Sequence, residues 1–106
     1  MNLTIATIAK QINASFEGDA SLLIDAISID SRSLQNGPHT LFFALIGPNN
    51  DAHSYIIDLI QQGVTHFVVQ YIPEDCVGKA HFLVVQNTLA ALQELASYHR
   101  SLFHFP

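Results

Sequence analysis

Two polar segments carry the side chains best suited to chemistry, and each follows an apolar run. The first is Asp30-Ser31-Arg32-Ser33, directly after Ile29. A hydroxyl and successive backbone amides in such a loop can read the oxygens of a base or a ribose. The margin beyond the carboxyl ends of strands is also where α/β sheets bind ligands. A purely structural use competes with this: Asp30 can form an Asx-turn with Arg32 paired to it, which shapes the loop and does nothing more. The second segment is Gly47-Pro48-Asn49-Asn50-Asp51-Ala52-His53. It leads into a helical pattern, and first-turn amides carry a partial positive charge that suits phosphate. Asn49 and Asn50 add amide groups for sugar or base, and His53 falls in the first turn. Capping by Asn50 or Asp51 is compatible with either use, because a capped helix can still hold an anion nearby. Arg32 is the one cation near these segments in sequence, which limits how firmly a diphosphate would be held.

Complete catalytic sets are missing. There is no G-x-x-x-x-G-K-[ST] loop to cradle a triphosphate, no G-x-G-x-x-G and no H-E-x-x-H. His39, His53, His66, His81, His99 and His104 are scattered without ligand spacing, so no metal site is expected. Cys76 follows Pro73-Glu74-Asp75, and neighbouring acids raise a thiol pKa, which argues against a reactive nucleophile.

These loops need a scaffold, and the apolar pattern supplies one. Ile5, Ile8, Ala9 and Ile12 recur at helical spacing, predicting a helix over 4–12 with Thr4 as N-cap. Residues 14–17 read as a short strand ended by Gly18-Asp19, and 24–29 as a half-buried strand. The run 41–46 is too short for a typical helix and stops at Gly47-Pro48. Residues 51–62 then predict a helix closed by Gly63. Two further apolar runs, 67–69 and 82–85, read as strands, and Asn87 is placed to cap a last helix from Thr88 to about Ser101. Strands apolar throughout, with helices between them, imply a sheet covered on both faces. Strand 41–46, helix 51–62 and strand 66–70 form a crossover unit that should be parallel. The expected fold is a small three-layer α/β/α domain with a mixed sheet of about five strands, the N-terminal strands pairing antiparallel.

Composition sets the outer bounds. At 106 residues the chain is one domain, and 49% hydrophobic against 12% charged residues excludes disorder. Four Lys+Arg against nine Asp+Glu give a net charge of −5, with no basic cluster to track nucleic-acid phosphates. No apolar run approaches a membrane span of roughly 20 residues. Met1 to Asn13 lacks the blocks of a signal peptide. The single cysteine suits a reducing compartment, so a cytoplasmic location is expected. Leu102, Phe103 and Phe105 crowd the C-terminus. Either they pack back onto this domain, or the chain was cut at a boundary and continues into a second one.

Both polar segments, in their setting, resemble the N-terminal domain of the Mur ligases of peptidoglycan synthesis. The pattern runs Ile29-Asp30-Ser31-Arg32-Ser33-Leu34, Thr40-Leu41-Phe42-Phe43-Ala44-Leu45 and Asn50-Asp51-Ala52-His53-Ser54-Tyr55-Ile56. It continues with Gly63-Val64, then Asn87-Thr88-Leu89-Ala90-Ala91-Leu92, and Leu95-Ala96 before His99-Arg100. No single motif is decisive, but they fall in the family's order, and the resemblance covers about residues 4–103. The branch most resembled is the UDP-N-acetylmuramoyl-tripeptide–D-alanyl-D-alanine ligases (MurF). The Phe42-Phe43 pair and the Tyr98-His99-Arg100-Ser101 ending look most like those fused to an alanine racemase, which would carry pyridoxal phosphate.

The resemblance implies that this domain holds the UDP end of UDP-N-acetylmuramoyl-tripeptide. Its uridine contacts would fall on Ile29, Ser31, Pro48, Asn49, Asn50 and His53, with Asp30, Arg32 and Asp51 bracing the loops. The family's Asp-Gly-His is Asp51-Ala52-His53 here; alanine is harmless if that position is helical and shifts the loop if a positive φ is needed. The family's ATP loop would begin just beyond Pro106, so ATP, Mg2+ and ligase chemistry are implied only for a longer parent with catalytic domains C-terminal to this one. The rival expectation is a free-standing, non-catalytic nucleotide-binding or regulatory module of the same fold.

Overall fold

The computed structural model describes residues 3–16, 18–33 and 36–99. The expectations for Leu102, Phe103 and Phe105, and for the last helix beyond residue 99, lie outside the described residues.

Local signals set the first elements. Strand β1 (Leu3–Thr4) runs into helix α1 (Ile5–Gln11), where the Thr4 hydroxyl accepts from the Thr7 amide at 3.2 Å. Strand β2 (Ser15–Phe16) follows. The expected strand over 24–29 is divided. β3 (Leu23–Ile24) pairs antiparallel with β1 in a two-stranded ribbon, while β4 (Ala26–Ser28) joins the main sheet. The division falls at Asp25, whose amide bonds the carbonyl of His39 at 3.1 Å. Two different partners claim the two halves of one apolar run.

The main sheet is completed by β5 (Thr40–Phe43), β6 (His66–Val69) and β7 (His81–Val84), in the order β2-β7-β6-β5-β4. β4, β5, β6 and β7 are parallel, and only β2 is antiparallel, against β7. The mixed five-stranded sheet is therefore present as expected, but of the N-terminal strands only β2 joins it antiparallel, while β4 runs parallel to β5. Between β5 and β6 the expected single helix is two pieces: a 3-10 turn, Ala52–Tyr55, and then α2 (Ile56–Gln61). The turn is tight because the Asp51 side chain caps only two residues ahead, accepting from the His53 amide at 2.9 Å. Gly63, at φ +105°, ends α2 where a side chain would be strained. Asn87 caps α3 (Thr88–Tyr98) by accepting from the Ala90 amide at 2.9 Å.

Alternation along the strands feeds two cores. Leu41, Phe43, Val68 and Leu83 face α1 and α3, meeting Ile5, Ile8 and Leu95. Phe42, Phe67 and Phe82 point the other way, towards Ile56 and Leu59 of α2. The register sets these three phenylalanines side by side across β5, β6 and β7, with centroids 6.1 and 5.8 Å apart. Each such burial is worth about 1.5–3 kcal/mol. No helix among the described residues is long and apolar enough to cross a membrane. The consequence for a site is directional: the loops leaving β4 and β5 emerge side by side at the carboxyl edge.

Candidate functional site

A groove of about 690 Å³ lies at that edge. One wall is the loop after β4, with Ile29, Asp30, Ser31 and Arg32; the other is Asn50 and Ala52, continued along α2 by Tyr55, Asp58 and Gln62.

The first wall is built by Asp30. Its Oδ1 accepts from the Arg32 amide at 2.8 Å, an Asx-turn, and lies 3.5 Å from Arg32 Nε. That amide hydrogen bond is the main reason its carboxyl sits below the usual aspartate value, with the Arg32 charge adding to it against partial desolvation. The Asp30 carbonyl accepts from the Asn36 side-chain amide at 2.9 Å and from the Ser33 amide at 3.2 Å. Arg32 is 91% exposed, so its pairing with Asp30 is a weak, solvent-screened contact. The brace and the groove coexist: Asp30 shapes the turn, and the turn presents Ser31.

The second wall is a closed loop. The Gly47 amide bonds the Asn50 carbonyl at 2.7 Å, and the Ala52 amide bonds the Leu45 carbonyl at 2.9 Å. The Tyr55 hydroxyl donates to Asn50 Oδ1 at 3.0 Å, fixing the side-chain amide at the rim. Ala52 opens the 3-10 turn without a positive φ and is buried against α2's core, so a methyl group is accommodated at the position where the resemblance leads one to expect glycine.

Of the residues expected to contact ligand, Ile29, Ser31 and Asn50 line this groove together. Pro48 and Asn49 are exposed in the same loop but do not line it. His53 does not reach it. The ring is 1% exposed, with Nδ1 2.7 Å from Asp51 Oδ1 and Nε2 accepting from the Gln70 amide at 3.0 Å. As placed, it holds the loop and offers no free atom to a ligand. Asp51 is a hub: it accepts from the His53 amide, from His53 Nδ1 and from the Tyr71 hydroxyl at 2.5 Å. Burial pushes its carboxyl up, but the bonds from Tyr71 and His53 outweigh that and the net displacement is downward. The same contact raises the Tyr71 phenol.

Tyr55, Asp58 and Gln62 were missed by sequence reading. Their signal was present, since they fall on one face of the helical pattern beside the stripe of Ile56, Leu59 and Ile60, but a solvated polar face looks the same until a second wall is placed across from it. Asp58 matters electrostatically. With Asp30 it sets two carboxylates against one arginine in the lining, so the groove is no strong anion trap. Chemically it offers two hydroxyls, two side-chain amides, two carboxylates, a guanidinium and an aromatic ring, a set able to read a base and a ribose.

Cys76 is fully buried, and its thiol is pushed up to about 11, first by burial and then by its hydrogen bond to Asp75. Burial, more than the neighbouring acids, makes it inert. Among the described residues no three His, Cys, Asp or Glu side chains are arranged to hold a metal ion.

The fold is that of a small α/β domain with an open groove at the carboxyl edge of its sheet. No protein-family model matches the chain. It is 34% identical over 100 residues to the UDP-N-acetylmuramoyl-tripeptide–D-alanyl-D-alanine ligase of Haemophilus influenzae, covering 94% of this chain and 21% of that enzyme. It is also 34% identical over 80 residues to the UDP-N-acetylmuramoyl-L-alanyl-D-glutamate–2,6-diaminopimelate ligase of Bacteroides thetaiotaomicron, covering 76% of this chain and 16% of that enzyme. MurF from Acinetobacter baumannii shares the fold, with a TM-score of 0.81 at 23% identity over 94% of this chain and 21% of the other. The chain is a homologue of the N-terminal domain of the Mur ligases, of the MurF type. It spans about a fifth of the length of the curated relatives that match most of it.

Proposed function

We propose that the chain is the substrate-recognition domain of an ATP-dependent peptidoglycan-precursor ligase of the cytoplasm, holding the UDP end of UDP-N-acetylmuramoyl-tripeptide during addition of D-alanyl-D-alanine. The observation that carries this reading is the meeting of Ser31 and Asn50 across one groove, in a chain homologous to such ligases. The uridine would lie between the loop after β4 and the face of α2, with Ser31 and Asn50 supplying hydrogen bonds to base or ribose. Anchoring a remote part of the substrate places its distant carboxylate at a reaction centre elsewhere, a use of binding energy for orientation.

ATP and Mg2+ do not fit the residues described here. The chain has no Walker-type loop, and its described residues make no metal cluster. In such a ligase those groups belong to catalytic domains that follow this one.

The 106-residue chain by itself should therefore bind UDP weakly and hydrolyse nothing. Titration followed by NMR should show UDP perturbing residues around Ser31 and Asn49–Asn50 at high micromolar to millimolar concentration, about −4 to −6 kcal/mol. ADP should do less. Equal responses would reduce the groove to a generic anion site, and no response to UDP would point to a free-standing module with another ligand.

A further inference from the structure

Asn50, which lines the groove, ends an exposed loop, residues 46–50, that has little packing of its own. Holding such a loop in one geometry costs about 1–2 kcal/mol per residue in backbone entropy, so its order must come from anchors. Besides the Gly47–Asn50 bond and the Tyr55 hydroxyl on Asn50, the loop has a set of anchors outside the groove. The His53 ring stacks on Tyr71 with centroids 4.1 Å apart and planes 10° from parallel. The Gln70 amide donates to Nε2, so that nitrogen must be bare, and the ionised Asp51 can only accept, so Nδ1 must carry the hydrogen. Two neighbours on different segments require the same neutral tautomer. The other Asp51 oxygen takes the Tyr71 hydroxyl, closing the ring of contacts. Gln70 extends it: its Oε1 accepts from the Thr88 amide at 3.0 Å, and Thr88 Oγ1 donates to the Ala44 carbonyl at 2.8 Å. Ala44 is where the loop leaves the sheet and Asp51 is where it enters the helix, so both ends are tied to the segment after β6.

We propose that His53 and Tyr71 are positioning residues for nucleotide recognition, a clamp that sets Asn50 at the groove without touching the ligand. This rests on the nucleotide reading given above. Placement by a rigid supporting shell is what a binding loop of this kind requires.

The test uses the whole chain, with Tyr71→Phe as the main variant because Tyr71 is 46% exposed and the change keeps its ring stacked. His53→Gln and His53→Ala form a second pair, in which glutamine can still accept from Gln70. Tyr71→Phe should weaken UDP binding about fivefold, with an unchanged melting temperature, and should shift the Asn50 amide but not that of Ser31. Glutamine at 53 should bind UDP better than alanine. In the unmodified chain, 15N spectra of His53 should show a protonated Nδ1 and a bare Nε2. A hydrogen on Nε2, or Tyr71→Phe binding UDP as the parent does, would overturn the clamp alone. A parent chain that bound no UDP would overturn the nucleotide reading and the clamp's role with it.

Discussion

The two edges of the sheet use similar side chains to opposite ends. At the carboxyl edge, His53, Asp51 and Tyr71 sit behind a loop and leave a groove open in front of it. At the amino edge, His66 and His81 stack with centroids 4.6 Å apart, and Phe16 lies 6.0 and 6.4 Å from them. There the turn after β2 closes directly onto the rings. His66 Nε2 meets the Asp19 carbonyl at 3.1 Å, and a Cβ on Gly18 would stand 2.6 Å from His81 Nδ1. One edge is sealed by backbone against imidazole; the other keeps its imidazole inside and its backbone loops apart. A histidine at a sheet edge is thus no marker of a ligand site in this molecule. The space in front of it is what separates the two edges.

The largest effect should come from filling the sealed edge. Gly18→Ala adds a methyl at φ +138°, into His81, and should cost about 1–3 kcal/mol of stability. At the open edge Gly47→Ala meets only the Asn50 carbonyl at 3.6 Å and should change stability by less than about 0.5 kcal/mol. Denaturant unfolding of both variants checks the contrast, and equal losses would show that the amino edge is not tightly closed.

Acid should act at the same sealed edge. Burial pushes the His66 imidazole below its ordinary 6.5, and His81 adds to this, while the bond to the Asp19 carbonyl opposes it. The folded state then binds fewer protons than the unfolded state, so His66's contribution is present above about pH 6.5 and is lost as pH falls from there through the folded value. Melting temperature against pH should fall on the acid side of that point, and His66→Gln should flatten the fall. A flat profile in the parent chain would remove His66 from the account.

The smallest effects belong to the groove and should appear in binding alone. Ser31→Ala should weaken UDP binding by about 1 kcal/mol while leaving stability unchanged, since one hydroxyl hydrogen bond is lost. Arg32→Ala should cost less, because Arg32 is spent on Asp30 at the surface. If calorimetry showed Arg32→Ala losing as much affinity as Ser31→Ala, the division between a residue that shapes the turn and one that reads the ligand would be wrong.

Features decided within a few residues were legible in the sequence. Thr4 and Asn87 cap their helices as expected, and Gly63 closes α2, because a cap or a left-handed stop is set by its immediate neighbours. The apolar runs 41–46, 66–70 and 82–85 specified strands covered on both faces, and the crossover between the first two specified a parallel pair. The Asp30 turn was likewise readable, its bond reaching only two residues ahead. Contacts between segments remote in sequence were not. The break at Asp25 depends on two sheets competing for one run, and the groove needs Asp58 of α2 and Gln62 just after it to stand opposite Ser31. His53 looked like a ligand-facing residue, but Asp51 pairs with its Nδ1, and Gln70 and Tyr71, 17 and 18 positions on, take its Nε2 and its ring face. Local chemistry set the elements and the turn types. Only tertiary packing, which pairs groups with no sequence relation to one another, decided which polar atoms remain free to meet a ligand.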